Sequence, residues 1–450
     1  MKIKVMKFGG TSVATPESRL AAASKVIAAT EQGWNPIVVV SAIGRRGEPY
    51  ATDTLLSLLR DIDPTVAPDP REVDLMIACG EILSAAIFAH TLKTLGHRAQ
   101  AFRGGQAGIK TDGVFGNARI VSIDPVLLFE SIQAGNIPVV CGFQGTYLPR
   151  PNVPGGELTT LGRGGSDTTA AALGVATNAE MVEIYTDVDG VKTADPDYVP
   201  KAPTLRKVTY DEVAEIAHLG AKVLHPRAAE IAMKFDTPLW VKNTFSDDPG
   251  TEIVKREAFR GRRVTGVTHT GRLVYLQFNL QGAVSDHRLT LESRVYELMA
   301  KYELNLYMMN HSPTGFGFAV PREQYRSVED LLDGLVLPLP GDGTPVYMFQ
   351  VGTKPSKGAE TQASLLQGLG KLISVPIDLT ENCTVVSLVG HDYLQQPGVY
   401  LDVLSTLFEA RISVLQTSDS DFSLSVLVPE VETERSVRLL HDRFQLSEAR

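Results

Sequence analysis

The sequence predicts an α/β protein: a first region built on a mainly parallel sheet with helices on both faces, then two small α+β modules. Three observations carry that reading. From Ile3 to about Val254, short apolar strand patterns alternate with helical ones, the grammar of parallel βαβ units. Glycine-rich turns at residues 7–12 and 159–167 each lead into a helix start. Beyond a basic run at 255–263, a strand-helix-strand-strand pattern occurs twice. At 450 residues the chain exceeds one ordinary domain, and two to four are expected.

The elements follow in order. Residues 3–6 read as a buried strand interrupted only by Lys4, and Thr15-Pro16-Glu17 reads as a helix start, with Thr as cap, Pro first and an acid in the first turn. Residues 37–40 are a continuous apolar run, as for a central strand covered on both faces, and 137–140, 182–185 and 238–241 resemble it. Helical patterns fall at 16–30, 71–95, 125–134, 167–176 and 211–235, the last in one or two pieces. In the later region, strands are expected at 273–280, 304–309 and 317–320, with Val295, Leu298, Met299 and Tyr302 on one helical face. The same order returns with strands at 384–389, 412–415 and 424–428 and a helical face of Tyr400, Val403, Leu404 and Leu407. Between the two lies a Pro-, Gly- and Lys-rich stretch, 337–377, with one clear strand at 346–351.

Composition narrows the function. Apolar residues at 43% and charged residues at 21% are normal for a globular chain with real cores. A formal charge of -9 argues against nucleic acid or an anionic membrane as partner, so an anionic substrate needs local basic groups. Cys79, Cys141 and Cys383 are scattered inside apolar runs and read as small buried hydrophobes in a reducing compartment. The histidines show no ligand spacing with cysteine, which speaks against structural zinc. No stretch is expected to have the length of a membrane span, and the chain opens into a strand instead of a signal peptide, so the expected location is cytoplasmic.

The glycine turns carry the chemistry. Lys7-Phe8-Gly9-Gly10-Thr11-Ser12 joins a strand to a helix, a layout that brings bare N–H groups to an anion, with Lys7 adding a positive charge; it also reads as a common tight turn. Thr159-Thr160-Leu161-Gly162-Arg163-Gly164-Gly165-Ser166-Asp167 is a second helix start of that kind, where Arg163 suits a carboxylate or phosphate and Asp167 reads as a site residue or an N-cap. Neither turn is a Walker loop or a dinucleotide fingerprint, and together they fit phosphoryl transfer better than hydride transfer. Glu81, a lone acid in an apolar helix, reads either as the partner of a substrate ammonium or as half of an internal salt bridge. Lys222 near a helix end reads as a site lysine or a solvated one, and 186–190 as an Asp-Gly turn or a nucleotide-contacting loop.

With these motifs in place, the chain resembles the aspartate kinases, the aspartokinase branch of the amino-acid kinase family. The resemblance rests on 7–13, Val40-Ser41-Ala42 with Thr52-Asp53, Gly80-Glu81, 161–167, 186–190 with Thr193-Ala194-Asp195-Pro196, and 220–226. The repeats resemble the paired ACT modules of that family, through Val264-Thr265-Gly266-Val267 in the first and Pro397-Gly398-Val399, 413–418 and 426–428 in the second. It implies an amino-acid-kinase-like catalytic domain over 1–258, a first ACT-like module over 264–380 and a second over 381–450. The implied activity is transfer of the ATP γ-phosphoryl group, with Mg²⁺ arriving on the nucleotide and no separate metal site, to the β-carboxylate of L-aspartate. Lys7 and Asp167 would be catalytic. Ser41, Thr52, Glu81, Arg163, Gly164, Gly165 and Ser166 would hold aspartate. Lys7, Phe8, Gly9, Gly10, Thr186, Asp187, Lys192, Thr193, Asp195 and Lys222 would hold ATP. Asn310, Gln416, Thr417 and Asp419 would meet an amino-acid effector, and the ACT modules would pair subunits into a homodimer or larger homo-oligomer. Kinases of the same fold acting on acetylglutamate, glutamate or UMP do not normally combine 7–13 and 220–226 with paired ACT modules. A catalytically dead amino-acid sensor would not need Lys7, Arg163, Asp167 and Lys222.

Overall fold

The computed structural model describes the chain except at residues 46, 64, 150–155, 222, 257–263, 281–286, 339–345, 353–371, 392–397 and 449–450. It divides into two compact units: Met1–Pro196 with Pro200–Gly266 and the residues from Leu446, and Asp197–Val199 with Val267–Gln445.

The first unit runs β1 (Ile3–Phe8), a 3-10 turn (Gly10–Val13), α1 (Pro16–Glu31), β2 (Asn35–Val40), α2 (Thr52–Arg60), α3 (Pro70–Ile77), α4 (Cys79–Thr94), β3 (Ala99–Phe102), β4 (Ile109–Thr111), β5 (Ile120–Ile123), α5 (Val126–Gln133), β6 (Ile137–Cys141), β7 (Gln144–Tyr147), β8 (Glu157–Thr160), α6 (Gly165–Ala176), β9 (Met181–Thr186), β10 (Lys207–Thr209), α7 (Tyr210–His218), α8 (Pro226–Phe235), β11 (Leu239–Asn243) and β12 (Thr251–Val254). Eight strands form one sheet in the order β10-β12-β11-β9-β1-β2-β6-β3, parallel except where β12 opposes β11. The apolar runs of β2 and β6 are buried because helices cover both faces. β1 lies at the centre, with Phe8 in register with Val40 on one side and Tyr185 on the other, so the loops after β1, β2 and β9 share one edge. Lys4 does not interrupt the burial of β1: its Nζ lies 3.2 Å from Glu183, which also takes Lys242 at 2.8 Å and the Tyr185 hydroxyl at 3.0 Å. α1 starts as read, with the Thr15 hydroxyl accepting from the Ser18 N–H and Pro16 first.

Two expectations need correction in this unit, and two elements come in addition. The helical run Pro70–Thr94 is long and apolar enough to cross a membrane by length and composition, although no such stretch was expected. Half of that apolar window is buried, and α4 packs on β3, β6 and α1, as a core helix does. Cys79, the first residue of α4, is exposed, unlike Cys141 and Cys383. A separate four-stranded sheet, β5-β4-β7-β8, and α2 were not anticipated.

The second unit holds most of β13 (Val264–Asn279), then α9 (Arg288–Lys301), β14 (Tyr307–Ser312), β15 (Gly315–Pro321), α10 (Arg322–Leu332), β16 (Val336–Pro338), β17 (Val346–Val351), β18 (Leu372–Gly390), α11 (Val399–Glu409), β19 (Gln416–Asp419), β20 (Ser423–Pro429) and α12 (Thr433–Arg443). The near-repeat is present as β13-α9-β14-β15 and β18-α11-β19-β20. Both halves share one sheet, because the first part of β18 pairs with β17 and its last part with β20. Phe278 stacks on Phe316 at 4.2 Å within a core that includes Val295, Met299, Phe318 and Phe349. Tyr302, expected on one helical face with Val295, Leu298 and Met299, follows the end of α9 and is exposed. Strands β14 and β19 begin three and four residues later than the patterns at 304–309 and 412–415 suggested. The reason is the same in both. Glu303 and Arg411 take left-handed φ values of 53° and 58°, and the N–H groups of Leu304 and Ile412 turn back to the carbonyls of Met299 and Leu407 at 2.9 Å each. Apolar residues read as strand thus close the preceding helix. Most of the Pro/Gly-rich stretch lies outside the described residues.

Candidate functional site

The site is built at the carboxyl edge of the central strands. Lys7 is the penultimate residue of β1, and its Nζ lies 2.7 Å from Asp167 Oδ1, with both side chains only 12% exposed. The Phe8 ring stacks between Phe88 at 5.7 Å and Tyr185 at 4.8 Å, so it belongs to the core and leaves only backbone to the cleft. The chain then turns through Gly9 and Gly10. A Cβ on Gly10 would stand 2.6 Å from the Gly44 carbonyl and 2.8 Å from that of Ala42, which explains a glycine where two loops press together. Ser12 closes the turn through a 2.7 Å hydroxyl contact with Thr244.

The second glycine cluster forms the amino end of α6. Gly164 caps the helix at a left-handed φ of 70°, and a Cβ there would reach within 2.0 Å of the His225 ring. Asp167 therefore sits inside the first turn and is not the cap. Its Oδ1 faces Lys7 and its Oδ2 accepts the His225 backbone N–H at 3.2 Å. The buried Ser166 lies against Gly142, beyond the end of β6, where a Cβ would come within 2.7 Å of the Ser166 hydroxyl. Arg163 is exposed and forms no ion pair among the described residues. Burial lowers the His225 pKa from its ordinary value, with the Asp167 charge acting the other way.

Glu81 enters from α4. Its Oε1 accepts the Ala42 N–H at 3.0 Å, while Oε2 has no hydrogen-bond partner and no salt bridge forms among the described residues. The internal salt bridge is therefore not the arrangement found. Burial pushes the Glu81 carboxyl up to about 8, against the pull of the Ala42 N–H. Ser41 donates its N–H to the Phe8 carbonyl at 3.1 Å, and Thr52 is the first residue of α2. Thr186 ends β9 and Asp187 follows it at the same edge, where Asp187 pairs with Arg45 from the loop after β2. Lys192 Nζ lies 3.3 Å from the Thr204 hydroxyl, Thr193 is buried and Asp195 half-buried. Lys222 lies outside the described residues.

Two further residues shape this region. Asp74 on α3, fully buried, accepts from the N–H and hydroxyl of Thr160 at 2.8 and 2.6 Å and from the Gly116 N–H at 3.0 Å. Burial raises its pKa, opposed by those donors. Arg227 on α8 holds the Leu161 carbonyl at 3.0 Å and Asn117 at 3.2 Å. Together they fix the strand end that leads into Arg163. Asp74 carries little signal in the sequence, because Arg71 and Glu72 beside it make it look like part of a charged helix start. Arg227 and Arg45 carried none.

Of the residues expected to meet an effector, Asn310 and Gln416 touch within the second unit. Asn310 Nδ2 donates to Gln416 Oε1 at 2.8 Å and to the Tyr275 hydroxyl at 3.0 Å, and Thr417 lies 3.0 Å from the Tyr400 hydroxyl. Asp419 is exposed at the end of β19.

A parallel sheet, two helix-opening glycine turns and a buried lysine–carboxylate pair at its edge define a phosphoryl-transfer cleft of the α/β kinase class. The Amino acid kinase family model matches residues 2–243 and an ACT domain model matches 378–442. Aspartokinase 1 of Bacillus subtilis is 36% identical over 453 residues, covering 99% of this chain and all of the relative. The aspartokinase of Corynebacterium glutamicum is 34% identical, covering 99% of this chain and 97% of that one. The crystal structure of E. coli aspartokinase III in complex with aspartate and ADP shares the fold, with a TM-score of 0.70 at 24% identity over 98% of this chain and 99% of that one. The chain belongs to the aspartokinases of the amino acid kinase family.

Proposed function

We propose that the protein transfers the γ-phosphoryl group of ATP to the β-carboxylate of L-aspartate, forming 4-phospho-L-aspartate, the first step toward lysine, threonine and methionine. The observation that carries this reading is the Lys7–Asp167 pair, 2.7 Å apart between two glycine turns at the sheet edge. The acceptor carboxylate, with an ordinary pKa near 4, is ionised at neutral pH and needs no general base. The barrier is repulsion between a dicarboxylate and a polyphosphate, so positive charge and N–H dipoles must stand where charge develops. Lys7 meets the transferring oxygens and Asp167 aims it. Glu81 receives the substrate ammonium on its free Oε2, and Arg163 grips a carboxylate, with Ser41, Thr52, Gly164, Gly165 and Ser166 completing that end. Phe8, Gly9, Gly10, Thr186, Asp187, Lys192, Thr193, Asp195 and Lys222 line the nucleotide end.

Mg²⁺ fits the donor set: the partly exposed Asp187 carboxylate offers one hard oxygen ligand, and nucleotide phosphates and water complete such a shell. When bound, the ion neutralises charge on the phosphates. Residues 1–258 form the catalytic domain and 264–380 and 381–450 the regulatory modules, which bind an amino-acid effector and join subunits into a homodimer or larger oligomer. The unpaired Cys79, Cys141 and Cys383 support a cytoplasmic location.

The test is acyl phosphate formation with Mg-ATP and L-aspartate, trapped as the hydroxamate. Lys7→Ala should reduce kcat by roughly 10²–10³, whereas Arg163→Ala should chiefly raise KM for aspartate. No aspartate-dependent hydroxamate from wild-type protein would remove the reading.

A further inference from the structure

Arg45, on the loop after β2, has no part in the assignments above, yet its placement is specific. The Gly44 N–H donates to the Gly10 carbonyl at 3.1 Å, so the backbone just before Arg45 is pressed onto the first glycine turn. The Arg45 N–H is held by Glu48 Oε2 at 2.7 Å. From there the guanidinium reaches Asp187, on the loop after β9. β2 and β9 are the two neighbours of β1, with Val40 and Tyr185 both in register with Phe8. A side chain running from one loop to the other therefore crosses the carboxyl end of β1, where Lys7 and Gly9 face the cleft. The pair is exposed, 72% for Arg45 and 35% for Asp187, and ion pairs so placed contribute little stability. A guanidinium fork matches phosphate oxygens, and a polyphosphate outcompetes a single solvated carboxylate for it.

We propose that Arg45 is a phosphate clamp. Without nucleotide it bars the cleft by pairing with Asp187; when ATP enters, it exchanges that carboxylate for the polyphosphate and adds a guanidinium to the lysines assigned to that end. The proposal rests on reading this cleft as the ATP site.

The test is calorimetric titration of MgADP into wild-type protein, Arg45→Ala and Arg45→Lys, with the hydroxamate assay run on each. Arg45→Ala should weaken MgADP binding about tenfold and raise KM for ATP to match. KM for aspartate should stay put, and Arg45→Lys should recover part of the loss, because an ammonium keeps the charge without the fork. Should Arg45→Ala fail to fold, Arg45→Gln carries the same comparison. Binding by the alanine variant as tight as wild type, or tighter, overturns the clamp. Wild-type protein that binds MgADP through Arg45 yet forms no hydroxamate supports the clamp and removes aspartate as acceptor. Wild-type protein that binds no MgADP overturns both.

Discussion

Glu81 shows how one carboxylate turns burial into pH dependence. It is 2% exposed, its Oε1 is satisfied by Ala42, and burial lifts its pKa from 4.5 to about 8. With its pKa at about 8, the group is largely protonated in free enzyme near neutrality, while its proposed role of receiving an ammonium requires the carboxylate. Aspartate binding should therefore release a proton, and KM for aspartate should fall as pH rises from about 6 toward 8, then level. Glu81→Gln should flatten that profile and raise KM throughout; kinetics at several pH values check it. The sign for stability is opposite. A raised folded-state pKa contributes most below 4.5, and that contribution is lost as pH climbs to about 8. Thermal melting of wild type should therefore drop relative to Glu81→Gln across that window.

At the scale of elements, the loop that holds aspartate in the proposed reading depends on α3. Asp74 ties this helix to the end of β8 and to Gly116, and the next residues carry Arg163. Asp74→Asn presents an amide hydrogen where a donor already stands, leaving buried N–H groups short of an acceptor at a cost of about 1–3 kcal/mol. KM for aspartate should rise about tenfold, with KM for ATP little changed; a lower melting point with unchanged KM values would make Asp74 structural only. The elements that were legible in the sequence share one property. Strands such as β2 and β6, and α1 with its Thr-Pro-Glu start, announce themselves through local chemistry. The small sheet β5-β4-β7-β8 does not: β5 is largely solvent-facing, β4 has three residues, and the two short hairpins join through one paired position, Lys110 with Thr146. The glycine turns and Glu81 were readable because each breaks a local pattern. The bridge from Arg45 to Asp187 spans 142 residues and leaves no local trace. Asp167 stayed ambiguous because a helix-start aspartate looks the same whether it caps or reaches across.

Across the molecule, the second unit carries regulation in the proposed reading. Asn310 and Gln416 meet through one amide contact, joining strands from its two halves. Asn310→Ala should raise the inhibitor concentration at half effect about tenfold. Inhibition curves with lysine, threonine, methionine and diaminopimelate check this and identify the effector. The same unit exposes Leu401 and Phe408 on α11, at 69% and 82%, beside the half-exposed Tyr400. Apolar residues grouped so on one helix fit contact with a second copy. Phe408→Asp should halve the mass seen by light scattering; an unchanged mass would move the contact elsewhere.

The four-stranded sheet has a consequence for how such a cleft is divided. Lys7 is anchored in the eight-stranded sheet, whereas Arg163 follows directly from β8 in the smaller one. The two charges thus belong to different sheets of the same unit. In the proposed reading, the aspartate-gripping end and the phosphorylating end of the cleft therefore hang on separate sheets, and substitutions in the lesser one should alter acceptor choice while leaving nucleotide binding unchanged.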